Sequence, residues 1–215
     1  MRFILSNLLQ SGAEEINFHN ALNYIPDDSF SDLDQVARPR IIKSHEAYRE
    51  QFPRVIYIVR DPRDAYVSYF EYLRKKLPEG MTFSAFLRQP SIYPCRWHEH
   101  VASWIDKPAV KVLVKYEDML SDCFSEMKRV LAILPHVHVS DEQLRHAIDA
   151  SSFANMRKIE ETKGRPFRTE KDRETATTFV RKGIKGDWRN HFSKDDEQLI
   201  LEEAGDAMLA LNYLR

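Results

Sequence analysis

The sequence predicts an α/β fold in which a parallel β-sheet is flanked by helices on both faces, within a single domain of residues 1–215. Continuous apolar runs at 54–60 and 110–116 are rich in β-branched residues and predict strands, and the run at 54–60 is typical of a strand that is buried on both faces. A shorter run at 40–45 predicts a third strand. Segments with helical spacing separate and follow these runs, and strands that alternate with helices form parallel sheets.

Composition narrows the class of protein. With 43% hydrophobic and 30% charged residues, the chain is typical of globular proteins rather than disordered or membrane-embedded ones. A formal net charge of -1 argues against nucleic-acid or acidic-membrane partners, which require a basic excess. Two cysteines, Cys95 and Cys123, suit a reducing compartment, so a cytoplasmic location is expected.

The first third of the chain carries clear start and stop signals. Residues 1–9 predict an amphipathic helix rather than a leader peptide, because the apolar run is short and interrupted by polar residues. A brief helix is expected at 46–51. Asp61 and Pro62 follow the best strand as the N-cap and first residue of a helix that runs toward Lys76.

The rest of the sequence predicts further helices, interrupted by one long polar segment. These helices are expected at 82–88, 94–105, 121–134, 140–150 and 194–211. Residues 158–178 are polar and weakly patterned, which is typical of a lid, a binding loop or a disordered segment.

Residues 181–189, RKGIKGDWR, are the most distinctive candidate for anion binding. Arg181 can bind a phosphate with its planar guanidinium, and Lys182 adds a compact charge beside it. Gly183 allows the backbone to approach an anion closely. A second glycine predicts a tight turn packed by Trp188. Taken alone, the stretch is better explained as a solvated basic loop.

Polar groups also follow the predicted strands, at 43–45, at Arg60 and at 116–118. Ligands of open α/β sheets bind beyond the carboxyl ends of the strands. Arg60 immediately precedes a helix N-terminus, which is an anion-binding environment. Ser68 lies nearly two helical turns after Asp61, so Arg60 and Ser68 could hold one phosphate from two sides. The alternative for Arg60 is a surface ion pair.

Taken together and in order, these segments resemble the sulfotransferases that use 3′-phosphoadenosine 5′-phosphosulfate (PAPS). Arg60 with Ser68 is similar to that family's pattern for binding the 3′-phosphate, and RKGxxGDW is similar to its C-terminal signature. The resemblance implies that Arg181, Lys182 and Gly183 complete the 3′-phosphate site.

Two further segments resemble the family's adenine site. Tyr116 begins a segment similar to the one whose tyrosine approaches the adenine. Residues 151–156, SSFANM, resemble the segment whose hydroxyl, aromatic ring and methionine hold that base. The resemblance therefore implies that Ser151, Phe153 and Met156 bind adenine.

Lys43-Ser44-His45 resembles the family's Lys-Thr-His segment, which carries the catalytic histidine. The resemblance implies that His45 is the general base. An ordinary histidine pKa of about 6.5 would leave it mostly neutral at cytosolic pH. Lys43 lies two residues earlier on the same predicted strand face and could stabilise charge on the transferred group. No metal is expected, since the pairs His98/His100 and His136/His138 have no companion ligands at known zinc spacing.

The resemblance implies a fold like that of the P-loop nucleoside triphosphatases. The sulfotransferases that use PAPS open with a strand and a Pro-Lys-x-Gly-Thr-x-Trp loop that binds the 5′-phosphosulfate. Neither is recognisable in this sequence, whose first residues match the helix that follows the loop. The chain therefore resembles a member that lacks its first strand and phosphosulfate loop. The vertebrate dimerisation segment is not recognisable in 165–178, so a homodimer is not indicated.

The function implied is transfer of a sulfuryl group from PAPS to a hydroxyl or amine of a small-molecule acceptor, leaving 3′-phosphoadenosine 5′-phosphate (PAP). The alternative is a truncated or impaired protein that binds PAP or PAPS without efficient transfer. A kinase-like enzyme is disfavoured because the sequence holds no Gly-x-x-x-x-Gly-Lys-Ser/Thr motif. The acceptor pocket is expected to be lined by 12–34, 81–104 and 158–178, and the acceptor itself stays open.

Overall fold

A computed structural model describes residues 1–10, 14–28, 32–35, 40–167 and 169–214, without the side chain of Asp34. The helices are α1 (Arg2–Leu9), α2 (Ala21–Tyr24), α3 (Pro62–Leu73), α4 (Phe83–Leu87), α5 (Trp97–Trp104), α6 (Tyr116–Ser121), α7 (Cys123–Leu131), α8 (Asp141–Ala150), α9 (Phe153–Lys163), α10 (Glu170–Glu174) and α11 (Lys194–Ala210). The strands are β1 (Val55–Val59) and β2 (Val110–Lys115), and short 3₁₀ helices occupy Leu33–Gln35 and Asp187–Asn190.

The chain forms two compact units. The first unit consists of Met1–His45, Ser121–Arg173 and Thr178–Gly183. The second unit consists of Glu46–Leu120, Glu174–Thr177 and Ile184–Arg215.

The sheet lies in the second unit and confirms the predicted parallel α/β arrangement. β1 pairs with β2 in parallel, from Ile56 opposite Val112 to Val59 opposite Lys115. One face of β1 is buried, since Val59 is 3% exposed and packs with side chains of α5. Ile58 points the other way and is 47% exposed. The expectation that this strand is buried on both faces is therefore wrong.

The predicted third strand at 40–45 is not formed. Only Lys43 pairs, in an isolated parallel bridge with Asp27. Lys43 donates its backbone N–H to the carbonyl of Pro26 at 2.9 Å and accepts from Asp28 at 3.0 Å. Because Pro26 has no N–H of its own, the ladder cannot extend in that direction.

The helix predicted at 46–51 is also absent, and the chain there forms bends and a turn. The indole N–H of Trp104 on α5 donates to the carbonyl of Glu46 at 3.1 Å, so a tertiary contact takes an acceptor that a helix would use internally.

Residues 158–178, predicted as a lid, a binding loop or a disordered segment, contain the end of one helix and a second short helix. α9 continues to Lys163, supported at its start by the N-cap Ser152 and on its surface by an Arg157–Glu161 pair one turn apart. α10 follows at Glu170–Glu174. The polar composition reflects a solvated helix face, and within α9 Ile159 supplies the buried contact.

The start of α3 is as predicted. The Asp61 carboxylate accepts the backbone N–H of Arg63 at 2.9 Å, and Pro62 occupies the first helical position. The helix ends at Leu73, one turn before the predicted end at Lys76.

Each unit has its own core. The first unit contains a cluster of Phe3, Ile16, Phe18, Ala21, Ile159 and Val180. The second contains a cluster beside the sheet, formed by Tyr57, Val59, Val101, Trp104 and Leu211. It also contains a larger cluster of Tyr66, Val67, Phe70, Phe83, Phe86, Leu87, Ile92, Trp188, Ile200, Ala204 and Met208. Across the described ranges, none of the helices combines the length and the hydropathy that a membrane crossing requires.

Asp196, at the start of α11, is a buried carboxylate that makes the second unit's stability pH-dependent. Burial alone would raise its pKa, but hydrogen bonds from Arg88, Ser84 and Ser193 outweigh that effect and lower the pKa to about 2. A carboxyl whose folded-state pKa lies below its unfolded value stabilises the fold above the unfolded pKa, and this contribution is lost as the pH falls through the folded pKa.

We expect Asp196→Asn to lower the free energy of unfolding at pH 7 by about 2 kcal/mol, because each unit of pKa shift corresponds to about 1.4 kcal/mol. The difference from wild type should shrink as the pH falls from about 5 to about 2. Urea denaturation across this range measures it. Asp195→Asn, at an exposed position in the same turn, is the control. A deficit for Asp196→Asn that does not change with pH would contradict the assignment.

Candidate functional site

The Arg181-Lys182-Gly183 segment lies against α9 within the first unit. Gly183 has φ +64, a conformation that favours glycine. A Cβ at this position would lie 2.5 Å from Cδ2 of the Phe153 ring. Position 183 therefore requires a glycine, both because of the positive φ and because a side chain would collide with the Phe153 ring.

The predicted adenine segment surrounds the junction between α8 and α9, in the same unit. The Ser151 hydroxyl accepts a hydrogen bond from the Asn7 amide at 3.3 Å. Phe153, at the first turn of α9, is 38% exposed. Met156 is partly buried against the core cluster of this unit. The structure thus brings Ser151, Phe153 and Met156 to one end of α9, with Gly183 touching the ring of Phe153.

Arg60 follows β1 in the second unit and is held in a defined orientation. Its guanidinium lies over the Tyr116 ring, 4.5 Å from the centroid. Its Nη2 donates to the carbonyl of Ile184 at 3.1 Å and lies 4.0 Å from Oδ2 of Asp64. Its Nε is buried and has no hydrogen-bond partner among the described residues. A buried donor of this kind is costly, and an anion at this position would satisfy it.

Tyr116 and Ser68 occupy the positions that the sequence predicts in the second unit. Tyr116 starts α6 directly after β2, and burial raises the pKa of its hydroxyl, partly offset by the charge of Arg60. Ser68 lies on α3 and is half-buried. That Arg60 and Ser68 hold one phosphate stays a prediction.

Asp64 organises the second half of the signature and was missed by sequence reasoning. Its carboxylate, 2% exposed, accepts the backbone N–H of Gly186 at 2.6 Å and that of Trp188 at 2.9 Å. Gly186 has φ +83, and Trp188 is buried under the guanidinium of Arg63. The predicted tight turn is therefore present. The sequence signal was an acid in the first turn of α3.

Lys43 and His45 lie together in the first unit. The Lys43 ammonium lies 2.5 Å from Oδ2 of Asp27 and 2.6 Å from Nε2 of His45. Burial lowers the pKa of Lys43, and the hydrogen bond to Asp27 opposes this shift. Since an ammonium group can only donate, Nε2 of His45 acts as the acceptor when Lys43 is charged.

Asp27 is a second residue that sequence reasoning missed. It is 3% exposed, and its carboxylate also lies 3.5 Å from Nη1 of Arg2. Two cations thus face one buried carboxylate, which holds Lys43 in place beside His45. An acid sixteen residues before the lysine carries no sequence signal of this contact.

The predicted site residues therefore fall into two sets. The first unit carries Lys43, His45, Ser151, Phe153, Met156, Arg181, Lys182 and Gly183, and the second carries Arg60, Ser68 and Tyr116. Parts of the predicted acceptor-lining segments, residues 12–13, 29–31 and 168, lie outside the described residues. In the described part of the chain, no group of three or more His, Cys, Asp or Glu side chains is placed to hold a metal ion.

Relatives of known sequence match most of the chain. It is 30% identical over 177 residues to Sulfotransferase 1 family member D1 of Mus musculus, covering 75% of this chain and 59% of that protein. It is 31% identical over 176 residues to Sulfotransferase 1E1 of Homo sapiens, with the same coverage of 75% and 59%. The chain thus spans 59% of the length of these relatives.

Solved structures agree in fold. Mouse sulfotransferase SULT7A1, solved in complex with PAP, matches with a TM-score of 0.64 and 26% identity, covering 84% of this chain and 70% of that one. Retinol dehydratase, solved with androsterone and PAP, matches with a TM-score of 0.65 over 82% of this chain and 55% of that one. At 22% identity, the second match shows the fold alone.

The profile of the family described as the sulfotransferase domain matches residues 4–207, which is nearly the whole chain. This match includes both halves of the signature and every predicted site residue. The chain belongs to the sulfotransferase domain family.

Proposed function

We propose that the chain binds PAPS and transfers its sulfuryl group to a hydroxyl or amine of a small-molecule acceptor. Membership of the sulfotransferase domain family supports the class of reaction. The match to a mouse sulfotransferase solved in complex with PAP supports the nucleotide.

The observation that carries this proposal is the contact between Gly183 and Phe153. These residues belong to two motifs thirty positions apart, one implied to bind the 3′-phosphate and the other the adenine. Their approach leaves no room for a Cβ at Gly183. Two segments expected to bind opposite parts of one nucleotide are thus in contact within one unit.

The chemistry of the predicted site residues supports binding of the nucleotide's phosphate and of its adenine. In the second unit, Arg60 has an unused buried Nε, and Arg60 and Ser68 are proposed to bind the 3′-phosphate; Arg181 and Lys182 of the first unit are proposed to bind it as well. Phe153 offers a partly exposed ring on which adenine can stack, and Ser151 and Met156 would supply polar and apolar contacts to that base. Tyr116 of the second unit is likewise proposed to bind adenine.

Transfer requires a base and a cation near the reacting group. The acceptor oxygen attacks sulfur while the sulfur–oxygen bond to the 5′-phosphate breaks. The acceptor's proton passes to the imidazole of His45, and PAP leaves with the bridging oxygen. Lys43, held beside His45 by Asp27, stabilises the negative charge of the transferring group. A histidine side chain suits the task because the ordinary pKa of an imidazole lies near neutral pH.

The test is incubation of the purified chain with sulfur-labelled PAPS and a panel of phenols, hydroxysteroids, sugars and amines. We expect labelled product from at least one acceptor, with PAP formed in equal amount. Binding of PAP without any transfer would instead support the alternative, a nucleotide-binding protein without efficient transfer. Absence of both binding and transfer would refute the proposal.

A further inference from the structure

The geometry points to Glu160 as a residue that positions the Arg181–Lys182 pair for the 3′-phosphate. This inference rests on the proposed function. Glu160 lies on α9, seven residues after Phe153, so the two side chains share one helix face. Phe153 contacts Gly183, and Glu160 contacts the residues that precede the cations.

The Glu160 carboxylate binds the backbone on the N-terminal side of the two cations. Its Oε1 accepts the N–H of Phe179 at 2.7 Å, and its Oε2 accepts the N–H of Val180 at 2.8 Å. The side chain of Glu160 is only 10% exposed, so these charge-assisted bonds lie largely out of water. Both oxygens are therefore committed to orienting two consecutive peptide groups.

Arg165 completes the arrangement. Its Nε lies 3.1 Å from Oε1 of Glu160, and its side chain is 12% exposed. Its guanidinium contacts two rings, with its Cζ 5.4 Å from the centroid of Phe167 and 5.2 Å from that of Phe179. The ion pair and the two rings restrict the carboxylate to one orientation.

These contacts of α9 fix the backbone on both sides of the Arg181–Lys182 pair. Residues 179–180 are fixed by Glu160, and Gly183 is fixed by its approach to Phe153. The backbone N–H of Arg181 donates to the carbonyl of Phe179 at 3.0 Å, which tightens the chain between these points. The backbone of Arg181 and Lys182 is thus held on both sides, so ligand binding does not have to order this segment.

Glu160→Gln tests the inference because it keeps the shape of the side chain but removes the charge and one acceptor oxygen. We expect the affinity for PAP to fall about tenfold, since a charge-assisted hydrogen bond contributes on that scale. The affinity for 5′-AMP, which lacks the 3′-phosphate, should change less than about twofold. Glu161→Gln, at the exposed neighbouring position on α9, is the matched control and should change neither.

Titration calorimetry with PAP and with 5′-AMP measures both affinities, and ligand-free melting of each variant verifies folding. Glu160→Asp, which keeps the charge but shortens the reach, is the second variant and should also weaken PAP selectively. Equal losses for PAP and 5′-AMP, or no loss for either, would overturn the inference. If wild-type chain itself binds PAP no tighter than 5′-AMP, the proposed function fails instead.

Discussion

Replacing His45 with alanine is expected to lower the rate of sulfuryl transfer by roughly 100- to 10,000-fold, the usual contribution of a general base. The loss should appear in kcat, because the imidazole acts on the acceptor proton rather than on the nucleotide. Its Nε2 faces the Lys43 ammonium at 2.6 Å, so removal of the ring also deprives that ammonium of a neighbour. Initial rates with labelled PAPS measure the effect.

The control for this variant is His19→Ala, which removes another exposed histidine of the first unit. We expect it to transfer at the wild-type rate. PAP binding should be unchanged in both variants. If His45→Ala retained turnover, His45 would not be the base, and if it lost PAP binding as well, the ring would have a structural role.

Replacing Arg60 with alanine is expected to weaken PAP binding by roughly 10- to 100-fold, because a hydrogen-bonded charge contributes on the order of 1.5–3 kcal/mol. The guanidinium is already oriented by the Tyr116 ring and the Ile184 carbonyl, so little ordering is needed on binding. Binding of 5′-AMP should hardly change. Calorimetric titration of the variant with both nucleotides measures the difference.

Arg74→Ala is the matched control for Arg60→Ala. Arg74 follows the last residue of α3, and its side chain is 67% exposed. Its removal takes away the same charge from a position just beyond the other end of α3, so a general electrostatic effect would weaken PAP binding in both variants. Such an equal loss would contradict a direct contact between Arg60 and the 3′-phosphate.

Local sequence signals predicted the elements that position Arg60. A β-branched run, an acidic N-cap and a proline at the first helical position act over a few residues, and β1 and α3 formed where these signals lie. Gly183, which follows two cations, was predicted to let the backbone approach an anion, and that stays a prediction. The ring that it approaches was not indicated by the spacing.

Sequence reasoning missed the carboxylates that hold the site together. Asp27, Asp64 and Glu160 bind groups 16, 122 and 19 residues away in the chain. An acid carries no local sign of which distant N–H or ammonium it will meet. The wrong third strand has a similar cause, since pairing at Lys43 depends on the unrelated segment that contains Pro26.

The most direct test of the central claim, a site specific for a nucleotide with a 3′-phosphate, is calorimetric titration of the wild-type chain with PAP and with 5′-AMP. We predict that PAP binds at least about tenfold tighter, since the two ligands differ only by the phosphate assigned to Arg60, Ser68, Arg181 and Lys182. Equal affinities for the two nucleotides would contradict the account.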